Sequence, residues 1–327
     1  MLLQDQVGWK DLDSDWLDFY ASIGVDTIHL ETRGMVSEEG HELNISEGKI
    51  SSQPLAQARE KVEAKGLKLN NIFYSAPREI PLGLDGADKM TDIWCKLLEA
   101  LGEAGIPMLG WNYKPMGNFR TESATGRGGV KYSTFDYERY MKERDPAKVY
   151  SPEVSEDEMW ERMEAFLKTV IPVAESAGVI MALHPDDPPV PEPLGGVWQI
   201  CSSVEQWRRI YDSVPSPNHK MLFCQGCMTE LLGEGVYDWI AEMAGRDKIA
   251  WVHFRNVKGQ LPCFEEVFMD EGDIDMKRAM QIYKDNGFNG PFMMDHTPGF
   301  PVGMDSAKLG KAWANGYIRR LIQDVYG

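Results

Sequence analysis

SAGVIMALHPDDPP, residues 176–189, holds the end of one element, the whole of a second and the start of a third. Ser176-Ala177-Gly178 reads as a helix stop, because glycine just past the last turn accepts the left-handed conformation that closes a helix. Val179 to Leu183 is an apolar run of strand length, and it leads straight into His184, Asp186, Asp187 and a set of prolines. Prolines hold the loop they stand in still. A strand that ends in an imidazole and two carboxylates is placed to deliver ligands rather than merely to fill a core.

The same punctuation runs along the chain. Ala-Lys-Gly at 64–66, Glu-Ala-Gly at 103–105 and Asp-Asn-Gly at 285–287 each close a helical pattern and precede a strand-like run. Strands are expected at 25–30, 68–73, 107–111, 179–183, 221–224, 249–254, 291–295 and, more weakly, 263–268. Helices are expected at 14–23, 54–65, 87–104, 156–177, 204–213, 236–244, 273–286 and 306–325. Eight strands alternating with eight helices predict an α/β fold, a (β/α)8 TIM barrel forming a single domain over 1–327. A doubly wound sheet is the rival, but no Gly-x-Gly-x-x-Gly follows the first strand. Residues 113–155 and 185–203 are long insertions after strands 3 and 4, at the end of a barrel where active sites are built. They are expected to be lids or walls of a pocket, with a contact between copies, and hence a homo-oligomer, as the alternative.

A formal charge of −17 repels phosphate backbones and anionic membranes, which excludes nucleic acid as an expected partner. No apolar stretch approaches the roughly 20 residues of a membrane span, and the acidic N-terminal segment does not read as a secretory signal. A cytoplasmic protein is expected. Five cysteines, odd in number and scattered, argue for reduced thiols rather than a disulfide framework.

The residues at the strand ends carry the chemistry. The fourth strand ends at His184, the fifth at Cys224, the sixth at His253 with Arg255 and Asn256 following, and the eighth at Asp295-His296. Singly, each has an ordinary structural explanation. Together at one rim they make a first shell for a divalent metal, since imidazole, thiolate and carboxylate are the donors such ions take. Arg255 lies two residues beyond His253 and so shares its face of the strand. His29, Tyr74 and Arg78 are further pocket candidates, while His41 and His219 stand in polar loop contexts and read as solvated. Cys224-Gln225-Gly226-Cys227 is a C-x-x-C with no second pair of zinc-finger spacing and no visible thioredoxin-like setting.

HPDDPP at 184–189, LFCQG at 222–226, HFRN at 253–256, GDIDM at 272–276 and Asp-His at 295–296 resemble, in order and spacing, the motifs of the mannonate dehydratase family. WNYKPMGNFRT at 111–121 resembles that family's segment after the third strand. The resemblance spans about residues 105–300. It implies a xylose-isomerase-like TIM barrel, a carbon-oxygen lyase that removes water from D-mannonate or a related sugar acid to give 2-keto-3-deoxygluconate. The implied cofactor is a divalent metal, Mn2+ first, with Fe2+ or Zn2+ as alternatives. His184, Cys224, His253 and Asp295 would be its ligands and His296 an acid or base. Arg255, Asn256 and Asp186 would meet substrate, and Asp187, Tyr113 and Tyr74 are candidates for the second proton carrier.

The chain also departs from the family pattern. Met293 stands where an arginine precedes the Asp-His pair, Gln199 replaces another arginine, and Gly299-Phe300-Pro301-Val302 stands in place of a tyrosine-bearing loop. Lost guanidiniums remove charge-assisted partners for a carboxylate, so recognition is expected to differ while the metal machinery is kept. A sugar isomerase or epimerase of the xylose-isomerase-like barrels is the alternative function, and a catalytically silent binding barrel a third.

Overall fold

The computed structural model describes residues 1–32, 43–300 and 306–327, so His41 lies outside the described residues. Eight parallel strands close into a barrel. In chain order they are β1 (Leu2–Gly8), β2 (Thr27–Glu31), β3 (Lys68–Phe73), β4 (Met108–Trp111), β5 (Ile180–Leu183), β6 (His219–Cys224), β7 (Ile249–His253) and β8 (Pro291–Met293). Closure runs through β1, which pairs with β2 on one side and β8 on the other.

The count matches expectation, but the membership shifts by one at each end. The added stave, Leu2–Gly8, carries Gln4 and Asp5 in its middle, and both are fully buried. Gln4 faces inward to Thr27 and Asn70, and Asp5 faces outward to Lys311 and Asn315 of the last helix, Ser306–Tyr326. The seventh expected strand, Cys263–Val267, is not a barrel stave. It pairs antiparallel with Asn256–Gln260 and Lys131–Asp136 in a four-stranded sheet that packs over the C-terminal rim. The two insertions therefore follow the fourth and fifth staves rather than the third and fourth.

Helix boundaries follow local chemistry. The helix Glu156–Ala177 starts on a capping box, in which Ser155 Oγ accepts from the Glu158 amide and the Glu158 carboxylate accepts from the Ser155 amide. It ends at Gly178 with φ 69°, the stop read from the sequence. The helix Gln225–Leu232 was not anticipated: Cys224 is its N-cap, Gly226 stands in its first turn, and it carries no polar cap.

Within the barrel, Ala182, Leu222, Ala250 and Trp251 form a closed apolar floor. The Trp251 ring reaches β4 at Gly110, where a Cβ would come within 2.7 Å of it, so only glycine lets the indole cross. Above, the two insertions and the Cys263–Val267 strand pack on one another through buried Phe135, Val190, Leu194 and Phe264. Every residue from Met181 to Val190 is buried beneath them, so the proline-rich loop is an interior wall. His219 corrects an expectation: it is fully buried at the opposite end of β6 and packs edge-on against Tyr211, ring centroids 4.8 Å apart. Among the described residues, no helix is long and apolar enough to cross a membrane.

Candidate metal centre

Register brings the strand ends together. Cys224 is the Cα partner of His253, and His253 that of Met293, while His184 follows β5 with its amide bonded to the Trp111 carbonyl at 2.7 Å. One donor atom each from His184, Cys224 and His253 lies within 4.8 Å of the others, all three residues buried. Three donors around a first-row divalent ion, each about 2.0–2.3 Å from it, need mutual spacings of that order or somewhat less.

The protonation pattern suits ligation. His184 Nδ1 is 2.7 Å from the Pro185 carbonyl, which can only accept, so the neutral ring carries its proton on Nδ1 and offers Nε2 to a ligand. Burial alone would push the Cys224 thiol up, but the Cys227 thiol, Arg255 and His184 outweigh it and hold Cys224 well below the usual thiol range. Both His253 ring nitrogens are buried without a hydrogen-bond partner among the described residues. An interior polar atom left so is costly unless something else is meant to bind it. Thiolate, a free imidazole lone pair and an orphaned buried imidazole fit a divalent cation.

Asp295 is not in that group of three. Its Oδ2 lies 3.5 Å from His253 Nδ1, 3.1 Å from His296 Nδ1 and 3.4 Å from Arg255 Nε. The residue sits at φ 63°, a left-handed conformation that aspartate tolerates better than most side chains. Burial works against a charge on His253, but Asp295 and Cys224 prevail and push it up to about 9. His296 lies at the open rim, its side chain 47 % exposed, clamped between Asp295 and Glu266, whose Oε2 is 2.5 Å from Nε2. Burial opposes its charge too, and the two carboxylates overcome this and hold it well above the ordinary histidine range.

Arg255 does not present a free cation to substrate, as had been expected. Its guanidinium is buried against Glu230 (2.9 Å), Cys227 Sγ (3.1 Å), Asp295 (3.4 Å), Glu266 (3.5 Å) and Asp187 (3.8 Å), where it balances the anions behind the metal group. Asn256 is saturated by backbone: its amide donates to the Met269 and Ile274 carbonyls, and its oxygen accepts from Val257 and Ile274. No capacity remains for the substrate contact expected of it. Asp186 turns to the Cys201 amide at 2.7 Å, and burial raises its carboxyl to about 6. Asp187 is engaged by Arg120 (2.7 Å) and Asn118 (3.0 Å). Tyr113 is buried beside Trp111, its hydroxyl unpartnered among the described residues, in a narrow cavity lined by Lys114, Asp186 and Gln199. The lining of that cavity does not include the metal group.

Sequence reasoning missed Glu266, Glu230 and Arg120, and it set Cys227 aside with the C-x-x-C. Glu266 had a signal: it shares its strand face with buried Phe264, so a carboxylate was bound for the interior. Glu230 and Cys227 had none beyond their spacing of three from one another and from Cys224 on a helix not foreseen.

Fold and residue group together define a (β/α)8 barrel with a buried His-Cys-His set at its C-terminal rim, the class of barrel that handles small molecules through a divalent ion. The chain belongs to the D-mannonate dehydratase (UxuA) family, whose model matches residues 138–311. The mannonate dehydratase of Lactococcus lactis subsp. cremoris is 27% identical over 86% of this chain and 90% of that protein. That of Streptococcus agalactiae serotype V is 27% identical over 84% and 87%. The crystal structure of mannonate dehydratase from Streptococcus suis serotype 2 superposes with a TM-score of 0.80 at 23% identity, covering 99% of this chain and 95% of that one. An L-ribulose 3-epimerase shares the barrel at a TM-score of 0.63 and 12% identity over 99% and 95%, a likeness of fold alone.

Proposed function

We propose that this chain is a metal-dependent hydro-lyase that dehydrates a sugar acid, D-mannonate to 2-keto-3-deoxygluconate or a related aldonate. The observation that carries the reading is the buried His184, Cys224 and His253 group on a chain of this family. The cation expected is Mn2+, with Fe2+ or Zn2+ as alternatives. Its ligands would be these three residues and Asp295, which reaches the group from His253. When bound it would supply a Lewis acid, taking up the charge that develops as the proton beside the carboxylate leaves.

The chain's own residues do the rest. Pro185 fixes the His184 ring through its carbonyl, Arg255 helps keep the Cys224 sulfur anionic, and His253 and His296 hold Asp295 charged. His296, charged between Asp295 and Glu266 at the open rim, holds a proton where a departing hydroxide needs one. Asp187 and Tyr113 are withdrawn from proton transfer: the first is tied to Arg120 and Asn118, and the second lines a separate cavity. With Met293, Gln199 and an ion-paired Arg255 offering no free guanidinium, the substrate carboxylate is left to the cation and to exposed Arg78 beyond β3.

The test is incubation of the Mn2+-loaded protein with hexonates, pentonates and keto-sugars. A 2-keto-3-deoxy acid is expected; a sugar interconverted at unchanged mass would move the assignment to the isomerases.

A further inference from the structure

The C-x-x-C read from the sequence lacked a setting, and the fold supplies one. Cys224 is the N-cap of the helix Gln225–Leu232 and Cys227 its third residue, positions whose side chains face each other across the first turn. Arg255 Nη2 stands 3.1 Å from Cys227 Sγ, and both cysteines are fully buried. A disulfide requires Cα atoms about 4.4–6.8 Å apart, the separation of residues that meet in this way. We propose that Cys224 and Cys227 form a peroxide-sensitive dithiol that closes to a disulfide and takes the sulfur donor away from the metal group. The metal clause rests on the reading of Cys224 as a ligand; the dithiol chemistry does not.

The step balances with a hydroperoxide as oxidant. The Cys224 sulfur attacks one peroxide oxygen, the O–O bond breaks, and hydroxide leaves and is protonated to water, giving a sulfenic acid. Cys227 sulfur then attacks Cys224 Sγ; the S–O bond breaks, and the departing hydroxide takes the thiol proton as a second water. Two electrons pass from the two sulfurs to the peroxide. Hydrogen peroxide is small enough to enter by the path that a sugar acid must use. Once bridged, the Cys224 sulfur has no thiolate charge to offer, and cation affinity falls by at least about tenfold. A thiol reductant reverses the change.

The experiment treats cation-loaded protein with a few equivalents of hydrogen peroxide, quenches by alkylation and digests with trypsin, which releases both cysteines in one peptide, 221–246. That peptide is expected two hydrogens lighter and unalkylated, with the cation released to a chromogenic chelator and both changes undone by dithiothreitol. Cys227→Ser, shown folded by its circular dichroism, is expected to form no bridged peptide and to carry added oxygen at Cys224, reversible by dithiothreitol as the sulfenic acid and irreversible once excess peroxide takes it to the sulfinic acid. A peptide 221–246 alkylated at both cysteines in peroxide-inactivated protein would overturn the proposal, as would the same two-hydrogen loss in the Cys227→Ser peptide. A disulfide that forms while the cation stays bound would remove Cys224 from the ligand set and leave the dithiol standing.

Discussion

His219→Leu tests how the interior treats an imidazole. His219 is fully buried, its Nε2 has no hydrogen-bond partner among the described residues, and its Nδ1 lies 3.4 Å from the Val214 carbonyl. Burial drives its pKa down from 6.5 to about 3, with the Lys248 ammonium adding to the effect. The folded-state value is depressed, so between these two values the unfolded chain binds a proton that the folded chain refuses, and stability is lost as pH falls. Above pH 7 the group is neutral in both states and contributes almost nothing. From pH 7 to pH 5 the loss is about 2 kcal/mol, rising to about 4 kcal/mol near pH 3. At about 2.1 cal/mol/K of unfolding entropy per residue, 2 kcal/mol is about 3 °C in this 327-residue chain. Calorimetric scans of wild type and His219→Leu at pH 7 and pH 5 give four Tm values, and differencing removes every titrating group that the two proteins share. The variant should lose about 3 °C less than wild type on acidification. Equal losses would refute the argument, because the buried imidazole would then be taking its proton without unfolding.

Other outcomes follow from the metal group. Gly226→Ala places a Cβ 2.4 Å from the Arg255 guanidinium, which has no room to retreat, and should lower kcat/KM by about 10- to 100-fold with the circular dichroism unchanged. Arg255→Met leaves the buried Glu266 carboxylate without its chief counter-charge and should cost about 3–5 kcal/mol; Glu266→Gln in the same chain should restore part of it, read as a double-mutant cycle on Tm. Adding Mn2+ at about 100 times its Kd should stabilise the protein by about 2.7 kcal/mol, a rise of about 4 °C in Tm that a chelator reverses.

The barrel was legible because each stave announces itself locally. Gly178 and its counterparts stop the helices, and runs such as Val179 to Leu183 need no distant partner to be recognised as strands. His184, Cys224 and His253 were legible for the same reason: each stands at the end of such a run, and a barrel sends all strand ends to one rim. What escaped depends on partners far away in the chain. Gln4 and Asp5 look like surface residues until Asn70, Lys311 and Asn315 are seen to meet them. Asn256 and Arg255 looked like substrate groups because sequence shows a polar side chain but not whether it is already satisfied. Cys263–Val267 carries strand chemistry without saying which sheet it joins, and it was this choice that brought Glu266 to His296.

The central claim is that one sulfur and two imidazoles hold a single ion. X-ray absorption at the zinc edge of stoichiometrically zinc-loaded protein reads that shell directly. One sulfur at about 2.3 Å with nitrogens at about 2.0–2.1 Å is predicted, the sulfur vanishing in Cys224→Ser. A shell of nitrogen and oxygen alone in the wild-type protein would contradict it.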